Sequence, residues 1–544
     1  MKQTKSCTRE AAEHRLNFSS REDLQMPVFS KTRSAIVLGT FVMLAGSASF
    51  CALVVASPFH ARSTAPQDKI QKKSALSKPC TWPGISPHRL QGVVDASDTL
   101  PPPLAADAMI RVANKVASAC PALTRNLLQH AFDEADGVEP ATAYKLATGV
   151  GLSTDSRLFF MDRTYALAMD RLSLRSRAVL GMVGVDAPKA IQLFQQIGPP
   201  LPPAATCASG FAPDVSIYYD ALGKIVGIWK GRKPRTQAEA QAPFQELQEI
   251  ASATTSPVQL APLAKVLAEA NLAPAELSSL LNTLAAAIAN FPVDDDSFYS
   301  RKEYPSVKAR DQLVQLARTK QISAAAFVRS FHDYLDRSLN GSHCDGNEPK
   351  NVKELGSLYQ SFARVPGAPE QTSQSLNIPD TAPPIEPRPD AGEYWQTPQG
   401  KVLLLDAKHL NFDDNWREFT DADFKRPEWQ DRVRHLLDDM DNWNSSDEAS
   451  AADYYHEVEA LIFRVLSRLP PSELYDQVLA LWIKTFSESS LQWDNPAEWY
   501  IGISDFLRFS RKNIYGPPTA PIDTLKNSSN PYLSSLGVVS EFLQ

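Results

Sequence analysis

Positive charge, glycine, histidine and strand-like patterning are all in short supply in this 544-residue chain, and each shortage removes a class of reading. The formal net charge is −7, which gives a nucleic-acid role no electrostatic support, so no nucleic-acid partner is expected. Only 23 glycines are present, and strictly alternating β-branched runs are nearly absent, so a sheet-dominated fold is disfavoured. The chain has no Gly-x-Ser-x-Gly elbow, no His-Glu-x-x-His and no phosphate-binding glycine loop. No two cysteines are spaced as a zinc-ligand pair. A fixed repeat period is missing as well, although helix-pair spacing recurs loosely.

What is abundant is alanine, leucine and proline-punctuated helical pattern. The most informative stretch is the uncharged, proline-free run 34–56. As a helix it would span roughly 35 Å, enough for a bilayer core. Lys31 and Arg33 precede it, which favours an N-terminus that stays inside. The expectation is a single-pass membrane protein with a cytoplasmic N-terminus and a periplasmic or extracellular body, the membrane being contacted through 34–56. Val54-Val55-Ala56 before Ser57 leaves the alternative of a cleaved leader and a secreted body.

Composition shifts divide the chain into seven segments. Residues 1–33 form a disordered cytoplasmic tail, 34–56 the transmembrane signal-anchor, and 57–103 a Pro/Ser/Lys stalk. Residues 104–364 form a lobe of helix hairpins. Residues 365–396 are a proline-rich linker, 397–514 a smaller helical bundle, and 515–544 an extended tail. The fold class is therefore all-α: an irregular, α-solenoid-like hairpin lobe plus a bundle, preceded by one transmembrane helix. Helices are expected over, among others, 187–197, 237–252, 274–290, 426–441, 448–468 and 472–489. Pro470-Pro471 breaks the chain between the last two.

Four cysteines follow the apolar run: Cys80, Cys120, Cys207 and Cys344. They permit three pairings. Cys207 and Cys344 both lie in turn-like segments where a bridge could tie two helical layers, so Cys207–Cys344 with Cys80–Cys120 is preferred. His332, Asp333, Asp336, His343, Cys344 and Asp345 form the tightest cluster of metal-ligand types, but a solvated helix end explains them better than a metal does. Asp421-Ala422-Asp423 opens like a calcium loop, yet Arg426 and Arg432 replace the required glycine and closing carboxylate. No catalytic, cofactor or metal residue is assigned.

Residues 413–459 hold fifteen acidic side chains against five basic ones, the signature of a solvated helical face. His456, Glu457 and Glu459 are read as part of that polar surface. Seven of the nine tryptophans fall between Trp395 and Trp499. Of these, Trp443, Trp493 and Trp499 are the candidates for exposure, while Val458, Ile462, Val465, Leu474, Val478 and Phe486 recur at core spacing. The functional expectation is a membrane-tethered extracytoplasmic scaffold for an unidentified protein partner, with no chemistry of its own and no cofactor. The alternative is a cell-envelope hydrolase acting on glycan or peptide through a carboxylate pair.

Overall fold

The structure, a computed structural model, describes residues 86–147, 156–298, 304–344, 384–388, 395, 397–410, 420, 422–444, 450–467, 469, 472–490, 492, 496–512 and 520–544. Nineteen helices occur among them, with only two short two-stranded pairings, so the all-α expectation holds for these residues. The helices are α1 (Pro87–Thr99), α2 (Pro102–Val116), α3 (Pro121–Glu134), α4 (Arg157–Tyr165), α5 (Arg171–Val183), α6 (Ala187–Ile197), α7 (Ser216–Gly231), α8 (Gln237–Ser252), α9 (Leu260–Glu269), α10 (Pro274–Ile288), α11 (Pro305–Thr319) and α12 (Ala325–Leu339). They continue with α13 (Pro398–His409), α14 (Pro427–Asp441), α15 (Ala451–Leu466), α16 (Glu473–Ser489), α17 (Pro496–Lys512), α18 (Ala520–Lys526) and α19 (Pro531–Leu543).

Local chemistry sets where these helices begin. Side chains of Ser86, Ser156, Asp170, Asp186, Thr236, Thr397, Ser450, Ser472 and Asn530 each accept a backbone N–H of the following first turn. Proline in the first turn accompanies many of them, where its missing N–H and fixed φ do no harm. The short connections force sequential helices to pack: α2 on α3, and α5 on α3, α6 and α7. Further along, α9 meets α7 and α11, and α10 meets α8 and α12. Leu128, Phe132, Leu174, Val179, Leu222 and Leu263 are fully enclosed in this core. Each such side chain contributes about 1.5–3 kcal/mol by leaving water.

The two lobes expected from sequence pack together. Residues from Ser74 to Gln544 make one compact unit. Helix α17 packs on α2 and α4. Arg111 of α2 donates to the Tyr500 hydroxyl at 3.1 Å, and Asp107 beside it receives Arg177 of α5 at 2.5 Å. Two segments differ from the sequence reading. Part of the supposed stalk is helix α1, and the supposed extended tail contains α18 and α19. Helix α19 lies against α1 and α2, with Arg89 on Glu541 at 3.1 Å and the Lys115 ammonium on the Phe542 carbonyl at 2.6 Å.

The sheet content is small but well placed. β1 (Ala143–Leu146) runs antiparallel to β2 (Phe211–Asp214), with Tyr144 opposite Pro213 and Leu146 opposite Phe211. β3 (His343–Cys344) runs parallel to β4 (Ile385–Glu386).

The expected single-pass membrane placement is corrected. Among the described residues no helix is long and apolar enough to cross a membrane. The longest, α16 and α17, have 17 residues each and carry charges, and about 26 Å of helix falls short of a bilayer core. The 34–56 run on which that placement was based lies outside the described residues, as do the tail 1–33 and most of the linker 365–396.

Candidate functional site

Cys207 and Cys344 stand at disulfide distance, with 5.2 Å between their Cα atoms, and join the Cys207–Ser209 turn to β3. Cys120 is also disulfide-bonded, and Cys80 lies outside the described residues. The Asp296 carboxylate approaches Cys207 and Cys344 within ligand-like spacing, but sulfurs bonded to one another offer no thiolate pair to a metal. His332 contacts Asp336 at 3.7 Å across one helical turn, while His343 is buried in β3 and Asp345 is outside the described residues. The structure therefore does not gather that sequence cluster into a ligand set. Trp443 and Trp499, expected at the surface, are buried, and Trp493 lies outside the described residues. The Trp499 indole donates to the Phe486 carbonyl at 3.2 Å, and apolar neighbours take up the large rings.

Two cavities carry the remaining possibilities. The larger, about 900 Å³, opens beside the β1–β2 ribbon. Tyr144 and Tyr165 line it with rings 5.2 Å apart, and Phe211 stands edge-on to Tyr165. Its charged groups are engaged with their neighbours. Lys145 is paired with Asp214, whose carboxylate also accepts the Ser216 N–H at 3.1 Å, and Asp162 accepts the Leu146 N–H at 3.1 Å. Burial alone would raise the Asp214 carboxyl, but Lys145 and Ser216 hold it below the usual range. Burial pushes the Tyr165 phenol up to about 12, so it stays protonated at neutral pH. Neither cysteine nor histidine appears in the described lining. The arrangement offers flat amphipathic ring surfaces beside one fixed ion pair.

The smaller cavity, about 300 Å³, lies where α4 meets α15, α16 and α17. His456, Glu459, Ala460, Phe463 and Arg464 reach it from α15, spaced as one helical face. Arg163 comes from α4 and Asp505 from α17, and the two meet at 2.5 Å. The His456 ring lies on Phe160 with centroids 3.8 Å apart. Glu459 is 4% exposed and accepts the Ser489 hydroxyl at 3.5 Å. Gly502 makes room for that carboxyl, because a Cβ there would come within 2.5 Å of Glu459 Oε2. On another face of the same helix, Glu457 is fully buried and accepts the Thr397 hydroxyl at 2.8 Å. The polar-surface reading of Glu457 and Glu459 is therefore wrong. The signal was present: a charged residue recurring every three or four positions along with Ala460 and Phe463 marks a face that must meet something. What hid it was the surrounding acidity, which made these two look like more of the same.

Desolvation sets the protonation of this cavity. Burial raises the Glu459 carboxyl well above 4.5, Ser489 opposes, and the Asp505 charge adds to the rise. Burial, followed by the charges of Arg163 and Arg157, pushes His456 down to about 3. In the folded protein Glu459 therefore holds its proton to higher pH than an exposed carboxyl, and His456 gives its proton up at lower pH than an exposed imidazole. As pH rises above 4.5 the two act oppositely on stability. The native state lacks the proton that an unfolded His456 holds, and keeps the proton that an unfolded Glu459 loses. His456 raises stability up to about pH 6.5, whereas Glu459 lowers it from about pH 4.5 until the folded-state value of that carboxyl is passed. Glu459→Gln is expected to remove this loss. Urea midpoints from pH 4.5 to 8.5 should shift in favour of the variant as pH rises, and parallel curves would contradict the assignment.

No protein-family model matches this chain, and no curated protein and no solved structure is similar to it.

Proposed function

We propose that this protein is a helical scaffold that binds an extended segment of a protein partner in the groove beside the β1–β2 ribbon, without chemistry of its own. The observation that carries the reading is the lining of that groove. Tyr144 and Tyr165 supply large, stiff, amphipathic contact surfaces, the type that dominates recognition hot spots. Lys145 is paired with Asp214, and Asp162 accepts the Leu146 N–H. A volume of about 900 Å³ is at the upper end of small-molecule pockets and accommodates several side chains of a bound segment.

The test is a random-peptide display selection on the purified protein. Enriched peptides are expected to lose at least tenfold in affinity on Tyr165→Ala and on Tyr144→Ala, and to keep it on the exposed Asn126→Ala. Failure to enrich any sequence, or enrichment indifferent to both tyrosines, would overturn the scaffold reading.

One feature favours the rival hydrolase: Glu459 and Asp505 line a single cavity, and burial raises the first carboxyl, the disposition that acid–base pairs exploit. Against it, Asp505 is clasped by Arg163, and about 300 Å³ is tight for a segment of a polymer substrate. Binding suits that cavity better than turnover does.

A further inference from the structure

We infer that the cavity between α4 and the helices α15–α17 binds a small carboxylate with an apolar body, the carboxylate set against Arg163 and the hydrocarbon among Phe160, Phe463 and Trp482. At about 300 Å³ the space fits a small molecule and is at the lower limit of ligand pockets. Its walls are aromatic along their length. Phe160 and Trp482 are buried and Phe463 is 36% exposed, so ring surface runs from the interior to the mouth.

The charge pattern selects the head group. A guanidinium carries five N–H donors in a planar fork, and the single 2.5 Å contact of Arg163 to Asp505 engages one of them. That contact also neutralises Asp505. Burial, opposed by Ser489, raises the Glu459 carboxyl, which favours its uncharged form. Burial, then the charges of Arg163 and Arg157, lowers the His456 imidazole, so the ring adds no charge at neutral pH. An ammonium ligand would find Asp505 already held by Arg163, whereas a carboxylate would meet the guanidinium N–H groups that Asp505 does not engage. The site is separate from the ribbon groove, so it stands or falls independently of the peptide-binding proposal.

The experiment titrates the full-length protein with hexanoate and benzoate, and with hexylamine and hexanol as charge controls, by calorimetry and ligand-observed NMR. A carboxylate is expected to bind with Kd of about 1 mM or tighter, and the amine and alcohol at least tenfold more weakly. Ala460→Phe, which puts a ring into the cavity from its wall, should abolish binding. Arg163→Gln combined with Asp505→Asn keeps the pair neutral and should weaken the carboxylate at least tenfold while leaving hexanol unchanged. Phe463→Ala, at the open mouth, is the variant of least structural consequence and should weaken both carboxylates. Circular dichroism establishes that each variant is folded. The proposal is overturned if neither carboxylate binds at 10 mM, about ten times the weakest expected Kd. Hexylamine binding as tightly as hexanoate would overturn it too, as would binding indifferent to Ala460→Phe and Phe463→Ala.

Discussion

Cys344→Ser is expected to lower the stability of the folded unit by about 4–5 kcal/mol, a larger loss than a typical buried-core substitution brings. The bridge from Cys207 closes a loop of 137 residues, and removing it restores that loop's freedom to the unfolded chain. Native contacts go with it. Cys344 is 1% exposed and belongs to β3, whose His343 N–H donates to the Pro384 carbonyl at 2.9 Å. Beside the bridge, Arg388 meets the buried Asp296 at 3.6 Å, so the pairing of β3 with β4 and the turn at Cys207 are held at one point. The measurement is the urea midpoint of the variant against the parent, both under oxidising conditions. Reductant alone is a poorer test, since Cys120 is disulfide-bonded as well. A midpoint unchanged in Cys344→Ser would show that the bridge contributes no net stability.

Asp295→Ala should come next, at about 3–5 kcal/mol, because it strips a buried charge from the donors arranged around it. Asp295 is 1% exposed. Its carboxylate accepts the Ala205 N–H at 3.1 Å, the Ser297 N–H at 3.0 Å and the Ser256 hydroxyl at 2.6 Å. Those donors belong to three separate connections: the loop after α6, the loop after α10 and the turn before α9. Alanine would leave the two amides and a hydroxyl in the interior with the carboxylate gone. Asparagine retains one acceptor oxygen, so Asp295→Asn should cost less than half as much. Thermal and urea unfolding of the two variants, compared with the parent, checks both the size and the ordering. A loss below about 1 kcal/mol for alanine would mean that water reaches these groups and replaces the carboxylate.

Most helices were legible because capping and punctuation agreed with periodicity. Asp186-Ala187-Pro188 announces α6, and Thr236 followed by Glu239 announces α8, whose bounds match the sequence reading. The misses have physical causes. Helix α1 has only Leu90, Val93 and Ser97 buried, too little apolar surface to show a face, and its partner is α19, far along the chain. The Asn530 cap and the 533, 536, 539, 542 spacing of α19 were readable, but the Pro/Ser/Asn content around them pointed to a tail. The ribbon β1–β2 joins residues nearly seventy positions apart, and four-residue strands leave no usable alternation. The small cavity was hidden for another reason. Burying Glu457 and Glu459 contradicts the rule by which a polar residue is assigned outward, and the hydroxyls of Thr397 and Ser489, with the room left at Gly400 and Gly502, help make that burial tolerable.

The meeting of α19 with α1 also bears on how the molecule assembles. Lys115 reaches the Phe542 carbonyl across 427 positions of chain. During vectorial synthesis α1 therefore emerges long before the helix it packs against, and this contact closes only after the final turns are made.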